Sequence, residues 1–296
     1  MRMLLLALAG LLAACQSQFP ELPLLPVWQA PEAREHADLG RIVDLRSGQR
    51  LTPQQLVGQL ATAPRVLVGE QHDNPDHHAL QLWLLRALAA QRPQGSLLLE
   101  MLNPNQQAAV DQVRADVANG QPPADLYQAL NWQANWSWGL YGAIAGYAVQ
   151  QPWPLLAANL DRSEIMTLYA APPELAGKAS TAPAVREVLL EQIRQSHCGL
   201  LPESQLPAML AIQQQRDRRM AEQLRDAPEP ALLFAGAFHV RRDLAVPLHL
   251  QDIGGAQGAL VLVLAEAGKP VTVAEADFVW FTPAVPEQDH CARFRR

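Results

Sequence analysis

Five short runs, at residues 65–70, 96–101, 153–159, 231–239 and 258–266, are built almost wholly from Val, Leu, Ala and Phe. Runs so continuously apolar suit strands that are covered on both faces. A sixth strand-like run follows at 278–281. Helical patterns separate them at 75–91, 103–118, 140–150, 162–169, 183–195 and 203–226. That alternation predicts an α/β fold, with a mostly parallel central sheet flanked by helices and joined by right-handed crossovers. From 160 to 226 helices follow one another without a strand, which reads as a helical insert or lid over one end of the sheet. No Pro/Gly/Ser-rich linker divides the chain from residue 56 to 296, so this stretch reads as one domain.

Polar residues recur where these runs end. Glu70 and His72 follow the first, beside Asp73; Glu100 closes the second; Asn159, with Asp161, closes the third; His239 closes the fourth. In a parallel sheet all of them fall at one edge, where open α/β sheets place their ligands. Gathering ionisable groups there is costly unless they serve a purpose. Two chemistries suit such a set. His72 and His239 with a carboxylate would hold a divalent metal and its water. Alternatively, Glu70 or Glu100 would act as a general base with a histidine partner. No Gly-x-Ser-x-Gly elbow, P-loop or Gly-x-Gly-x-x-Gly pattern is present. A net charge of −6 with scattered arginines argues against a nucleic-acid partner.

The first residues carry a different message. Arg2, an apolar stretch from Met3 to Leu12, and Leu12-Ala13-Ala14-Cys15 form an export signal with a lipobox. The stretch is too short to span a bilayer, so residues 1–14 read as a cleaved signal peptide. Cys15 would then carry the acyl chains that anchor the protein to a membrane. Gln16 at the next position directs such a lipoprotein to the outer membrane, facing the periplasm. A proline-rich tether follows from Gln16 to Pro31, and the segment as far as residue 55 is assigned to it. In that oxidising compartment Cys198 and Cys291 are expected to pair as a disulfide. A metal site from His197, Cys198, His290 and Cys291 is the alternative, although it lacks the paired spacing of structural zinc sites.

An ordered set of motifs now carries a resemblance. It comprises Gly69-Glu70-Gln71-His72-Asp73-Asn74 with His77-His78, Leu99-Glu100-Met101, and Asn131-Trp132 through Trp138 and Tyr141. It continues with Leu156-Ala157-Ala158-Asn159 and Arg162, His197-Cys198-Gly199, Gln213 through Asp217 with Met220-Ala221, and Gly236-Ala237-Phe238-His239. The set resembles the ChaN-like haem-binding lipoprotein family, over roughly residues 56–264. The resemblance implies ferric haem held by a tyrosine in a pocket shared by two subunits, a haem-dependent homodimer and a part in iron acquisition. An outer-membrane haem receptor is an implied partner.

Of the four tyrosines, Tyr141 best matches the family's ligand and Tyr147 is the reserve. A phenolate is a hard donor suited to ferric iron. A histidine and a lysine are expected near the propionates. Lys178 is preferred over Lys269, with an arginine as a possible replacement, and the histidine candidates are His197, His77 and His78. Trp132, Trp136 and Trp138 either stack near the porphyrin or simply pack. More distantly, the Gly-Glu-Gln-His and Gly-Ala-Phe-His runs resemble the TraB/TIKI and erythromycin-esterase proteins. On that reading Glu70, His72, Glu100 and His239 would serve hydrolysis, with or without a metal. The haem reading makes the chain a binding protein rather than an enzyme, with a structural lipoprotein as the third possibility.

Overall fold

The computed structural model describes residues 21–289, 291 and 292. Cys15, the lipobox, the apolar leader and His290 therefore lie outside the described residues. The elements run β1 (Ile42–Asp44), β2 (Arg50–Leu51), α1 (Pro53–Leu60), β3 (Arg65–Glu70), α2 (Pro75–Gln91), β4 (Ser96–Leu99), α3 (Gln107–Ala118), α4 (Leu126–Ala129), α5 (Trp138–Ala148) and β5 (Leu155–Ala157). They continue with α6 (Arg162–Ala170), α7 (Pro183–Ser196), α8 (Leu206–Asp226), β6 (Ala231–Gly236), α9 (Ala237–Val240), α10 (Val246–Asp252), β7 (Ala259–Glu266) and β8 (Phe278–Thr282).

One sheet of eight strands results, in the order β2-β1-β8-β7-β3-β6-β4-β5. The six strands from β8 to β5 are mutually parallel, and the edge pair β1–β2 runs antiparallel. The expected α/β architecture holds, and its cause is visible in the burial. Val66, Leu67 and Val68 of β3 and Leu232, Leu233 and Phe234 of β6 alternate between two apolar layers, one on each face of the sheet. A third, smaller apolar cluster joins α7 to α8, with Leu189, Ile193, Leu206 and Leu210. No strand interrupts α6, α7 and α8.

Two boundaries differ from the sequence reading. Residues 42–51 are part of the sheet rather than of a tether, because Ile42 to Asp44 pair with Phe278 to Trp280. Such short strands give no periodic signal. The chain before them is also fastened, since the Asp76 carboxylate accepts the N–H groups of Gln29 and Ala30 at 2.7 and 2.9 Å. The second correction concerns the run at 231–239. β6 ends at Gly236, whose N–H donates to the Glu100 side chain at 2.8 Å, and the chain then turns into α9. His239 thus sits on a short helix folded back over β3. A β-carbon on Gly69 would come within 2.3 Å of Val240 Cγ2 and 2.9 Å of Ala237 Cα, so glycine is what allows that approach.

Candidate functional site

The parallel strands deliver Glu70, Glu100 and Gly236 to one sheet edge, and the turns after them deliver His72 and His239. Helix α5 adds Tyr141, and α8 adds Asp217. Glu70 Oε1 accepts from His72 Nδ1 at 2.6 Å and from the Tyr141 hydroxyl at 2.9 Å. The Glu70 side chain is fully buried, whereas that of His72 is 47% exposed. On the other side, His239 lies between two carboxylates: Nδ1 donates to Asp217 Oδ1 at 2.5 Å, and Nε2 is 3.3 Å from Glu100 Oε1. A β-carbon on Gly236 would strike His72 Cε1 at 2.8 Å and Nε2 at 2.9 Å. The bare glycine is what lets the two histidine–carboxylate groups approach each other.

The electrostatics follow from that packing. Burial opposes a charged His239, but Glu100 and Asp217 outweigh it and push the ring up to about 10. Burial likewise opposes an ionised Glu100, yet the His239 charge and hydrogen bonds hold it well below its ordinary value. His72 is also raised: burial lowers it, and the Glu70 hydrogen bond and charge more than offset that. Burial first, then Glu70, pushes the Tyr141 phenol well above its ordinary range, so it stays neutral.

These shifts predict a stability profile. The folded pKa of His239 exceeds its ordinary 6.5, so its contribution is complete below pH 6.5 and is lost as the pH rises through about 10. Glu100 is depressed from 4.5, so its contribution is complete above pH 4.5 and is lost on acidification. Denaturant midpoints against pH should therefore be highest near pH 5–6 and fall on both sides. A midpoint still rising from pH 7 to 10 would contradict the assignment.

The remaining residues singled out in the sequence are dispersed. Asn159 supports the cluster: Nδ2 donates to the Glu100 carbonyl at 2.8 Å, and Oδ1 accepts from Arg216 Nε at 3.0 Å. His78 is buried behind it, with Nε2 donating to the His72 carbonyl at 3.1 Å. His77 is structural, accepting the Gln71 N–H at 2.8 Å and bonding Thr282 at 2.9 Å, and burial keeps it neutral. Trp132 and Trp138 pack edge to face at 5.1 Å, while Trp136 stands against the His72 ring at 4.9 Å. Tyr147 sits elsewhere on α5, under the Arg86 guanidinium. Lys178 lies in an exposed turn whose backbone is held by Asp252, and Lys269 is paired with Glu266 at 2.6 Å. Cys198 and Cys291 form a disulfide, with 5.7 Å between their Cα atoms. Among the described residues no group of three or more His, Cys, Asp or Glu is arranged to hold a metal ion.

Tyr141, the tyrosine preferred from the resemblance, lies inside this packing. Only 1% of it is exposed, and its hydroxyl donates inward to a carboxylate that opposes ionisation. A ligand to iron needs the opposite on both counts, an open approach and an accessible phenolate.

A different surface offers those conditions. Helices α6, α7 and α8 enclose an open cleft of about 410 Å³, with Ile165, Met166, Tyr169, His197 and Met209 among its lining residues. Tyr169 is 38% exposed, and its hydroxyl has no hydrogen-bond partner among the described residues. His197 Nδ1 donates to the Ile193 carbonyl at 2.8 Å, which leaves the Nε2 lone pair available. The cleft also contains Gln213 and Arg216, which bond His239 and Asn159 respectively, so it adjoins the strand-edge cluster. The sequence reading quoted Asp217 only within the motif from Gln213 to Asp217 and gave neither it nor Tyr169 a role. Asp217 stands one helical turn beyond Gln213, on the same face of α8, and that spacing was its available signal.

Comparison with known proteins gives a consistent picture. The family model described as haem-binding uptake, Tiki superfamily, ChaN matches residues 56–250. The structure of cofacial heme binding to ChaN of Campylobacter jejuni is similar with a TM-score of 0.73 and 30% identity, over 81% of this chain and 95% of that one. An erythromycin esterase in its open conformation covers 86% of each chain with a TM-score of 0.44 and 13% identity, too little likeness to carry an argument. No curated protein sequence matches.

Proposed function

The chain belongs to the ChaN family of haem-binding uptake proteins, and from that premise we propose that it binds haem in the cleft between α6, α7 and α8, with Tyr169 on the iron. The observation that carries this reading is the half-exposed Tyr169 phenol, without a protein partner among the described residues, in a largely apolar cleft. Ferric haem bound there would supply a hard Lewis-acid centre that favours an anionic oxygen donor. Ile165, Met166 and Met209 offer apolar and polarisable surface to a flat macrocycle. His197, one of the histidines expected from the resemblance, and Arg216, an arginine in place of the expected Lys178, line the same cleft and suit contact with propionates.

Met166, Val188 and Leu200 are exposed at 58, 46 and 60%, an apolar surface on and beside the cleft helices. A cleft open on one side leaves part of a porphyrin uncovered, and a second copy would cover it at about 25 cal/mol per Å² of apolar area. The Cys15 lipid anchor places this haem carrier at the periplasmic face of the outer membrane, where it would exchange its ligand with a receptor. Titration of the full-length chain in detergent with hemin is the test. A saturable shift of the Soret band at one haem per chain, with the sedimenting mass doubling, is expected. The spectrum of free hemin at all ratios would refute the proposal.

A further inference from the structure

Between Glu21 and Glu32 the chain carries no charge, and it exposes Leu24 and Val27 there at 95 and 85%. These are the most exposed large apolar side chains among the described residues, and Leu25 between them is 48% exposed. We propose that this ridge is a membrane-docking face. It enters the head-group region of the bilayer that holds the Cys15 anchor and sets which way the haem cleft faces. The proposal rests on the lipid-anchor reading given above and adds an orientation to it.

A tether free of the domain would not present a ridge, but this segment is fastened. Trp83 Nε1 donates to the Pro23 carbonyl at 2.9 Å, and Arg34 Nη2 donates to the Trp28 carbonyl at 3.1 Å. The Asp76 carboxylate takes the Gln29 and Ala30 N–H groups. Pro20, Pro23 and Pro26 recur every third residue, the period of a polyproline helix. Exposure keeps that period. Leu22 and Trp28 pack against the core, Pro23 and Pro26 are half-buried, and Leu24 and Val27 face outward. Two apolar side chains three residues apart are thus held on one side of a fixed strap.

Chain length selects the bilayer as the occupant. Leu24 follows Cys15 by nine residues, and a chain reaches at most about 3.3–3.6 Å per residue, so the ridge stays within about 30 Å of the acylated cysteine. Three side chains are too little apolar surface to recruit a protein from solution, but an anchor makes the second contact intramolecular. With no charge in the segment, the contact is apolar rather than a pairing with lipid phosphates. The sheet then decides what faces away. Leu22 and Trp28 join the apolar layer of Leu80 and Trp83 on one face, whereas Met220, Ala221 and Leu224 of α8 join the layer on the other. A docked ridge turns α8 and its cleft away from the bilayer, toward arriving haem or a second copy.

The test reconstitutes the full acylated chain, without hemin, in phosphatidylethanolamine–phosphatidylglycerol vesicles, with a polarity-sensitive fluorophore on Leu24→Cys or Val27→Cys. With Cys15 acylated and Cys198 bonded to Cys291, the new thiol is the one labelled. Emission from either label should shift to the blue and be lost to lipids carrying a nitroxide near the head group, and high salt should reverse neither effect. A label on Val188→Cys of α7, on the cleft side and 46% exposed, should stay aqueous. Leu24→Glu in the Val27→Cys background should return the label to water while the protein still floats with the vesicles. A ridge label that stays aqueous in floating protein would overturn the docking and leave the anchor standing, whereas protein that fails to float would overturn both. A shift that grows with protein density at fixed lipid would assign the ridge to a second copy, and that too would overturn the proposal.

Discussion

Tyr169→Phe is expected to weaken hemin binding by about 100-fold, roughly 2.8 kcal/mol, and to remove the ferric–phenolate charge-transfer band. The substitution deletes one oxygen from a half-exposed ring and leaves the shape of α6 and the cleft unchanged. The loss should therefore appear in affinity and spectrum while the thermal midpoint stays put. Tyr141→Phe is the informative companion. That phenol is buried and donates to Glu70, so its removal should leave the hemin titration intact and perturb the strand-edge cluster instead. The opposite pattern, with Tyr141 needed and Tyr169 dispensable, would return the iron ligand to α5. Such a site would require α5 to move, because in the present packing Trp132, Trp136 and His78 surround the Tyr141 ring.

Tyr141 and the proposed ligand Tyr169 differ in how visible they are in the sequence, for a physical reason. Tyr141 stands in a Trp-rich stretch that draws attention, but aromatic density reports packing at least as well as ligand binding. Trp132 and Trp138 proved to be packing residues. Tyr169 sits at the end of a short helix with no buried face, whose apolar residues Met166 and Tyr169 point to solvent. Nothing in its local sequence separates that from an ordinary surface helix; only the neighbouring α7 and α8 turn it into a wall. The strands were readable because burial on both faces writes unbroken apolar runs. Their polar ends were readable because a parallel sheet sends them to one edge. His239 still arrived by another route, on a helix turned back at Gly236. The partner that fixes its charge, Asp217, comes from α8, where the sequence marked it only as the end of the motif that begins one turn earlier at Gln213.

That pairing leads to the largest expected loss of stability. In His239→Leu, Glu100 and Asp217 would stay buried with no cation between them, and breaking such a buried set costs about 3–5 kcal/mol. Urea unfolding should show a lowered midpoint with the slope unchanged. Because the penalty is that of unpaired carboxylates, acidification should relieve it, so the gap to the wild type should narrow as the pH falls. Replacing all three charged groups together, with Glu100→Gln and Asp217→Asn added to His239→Leu, should recover much of the loss by removing the stranded charges. A His239→Leu midpoint within about 0.5 kcal/mol of the wild type, the usual effect of a bland surface change, would mean that His239 is not the cation holding this edge. If the triple variant regains stability and still binds hemin, neither the fold nor the haem cleft needs the charges at this edge.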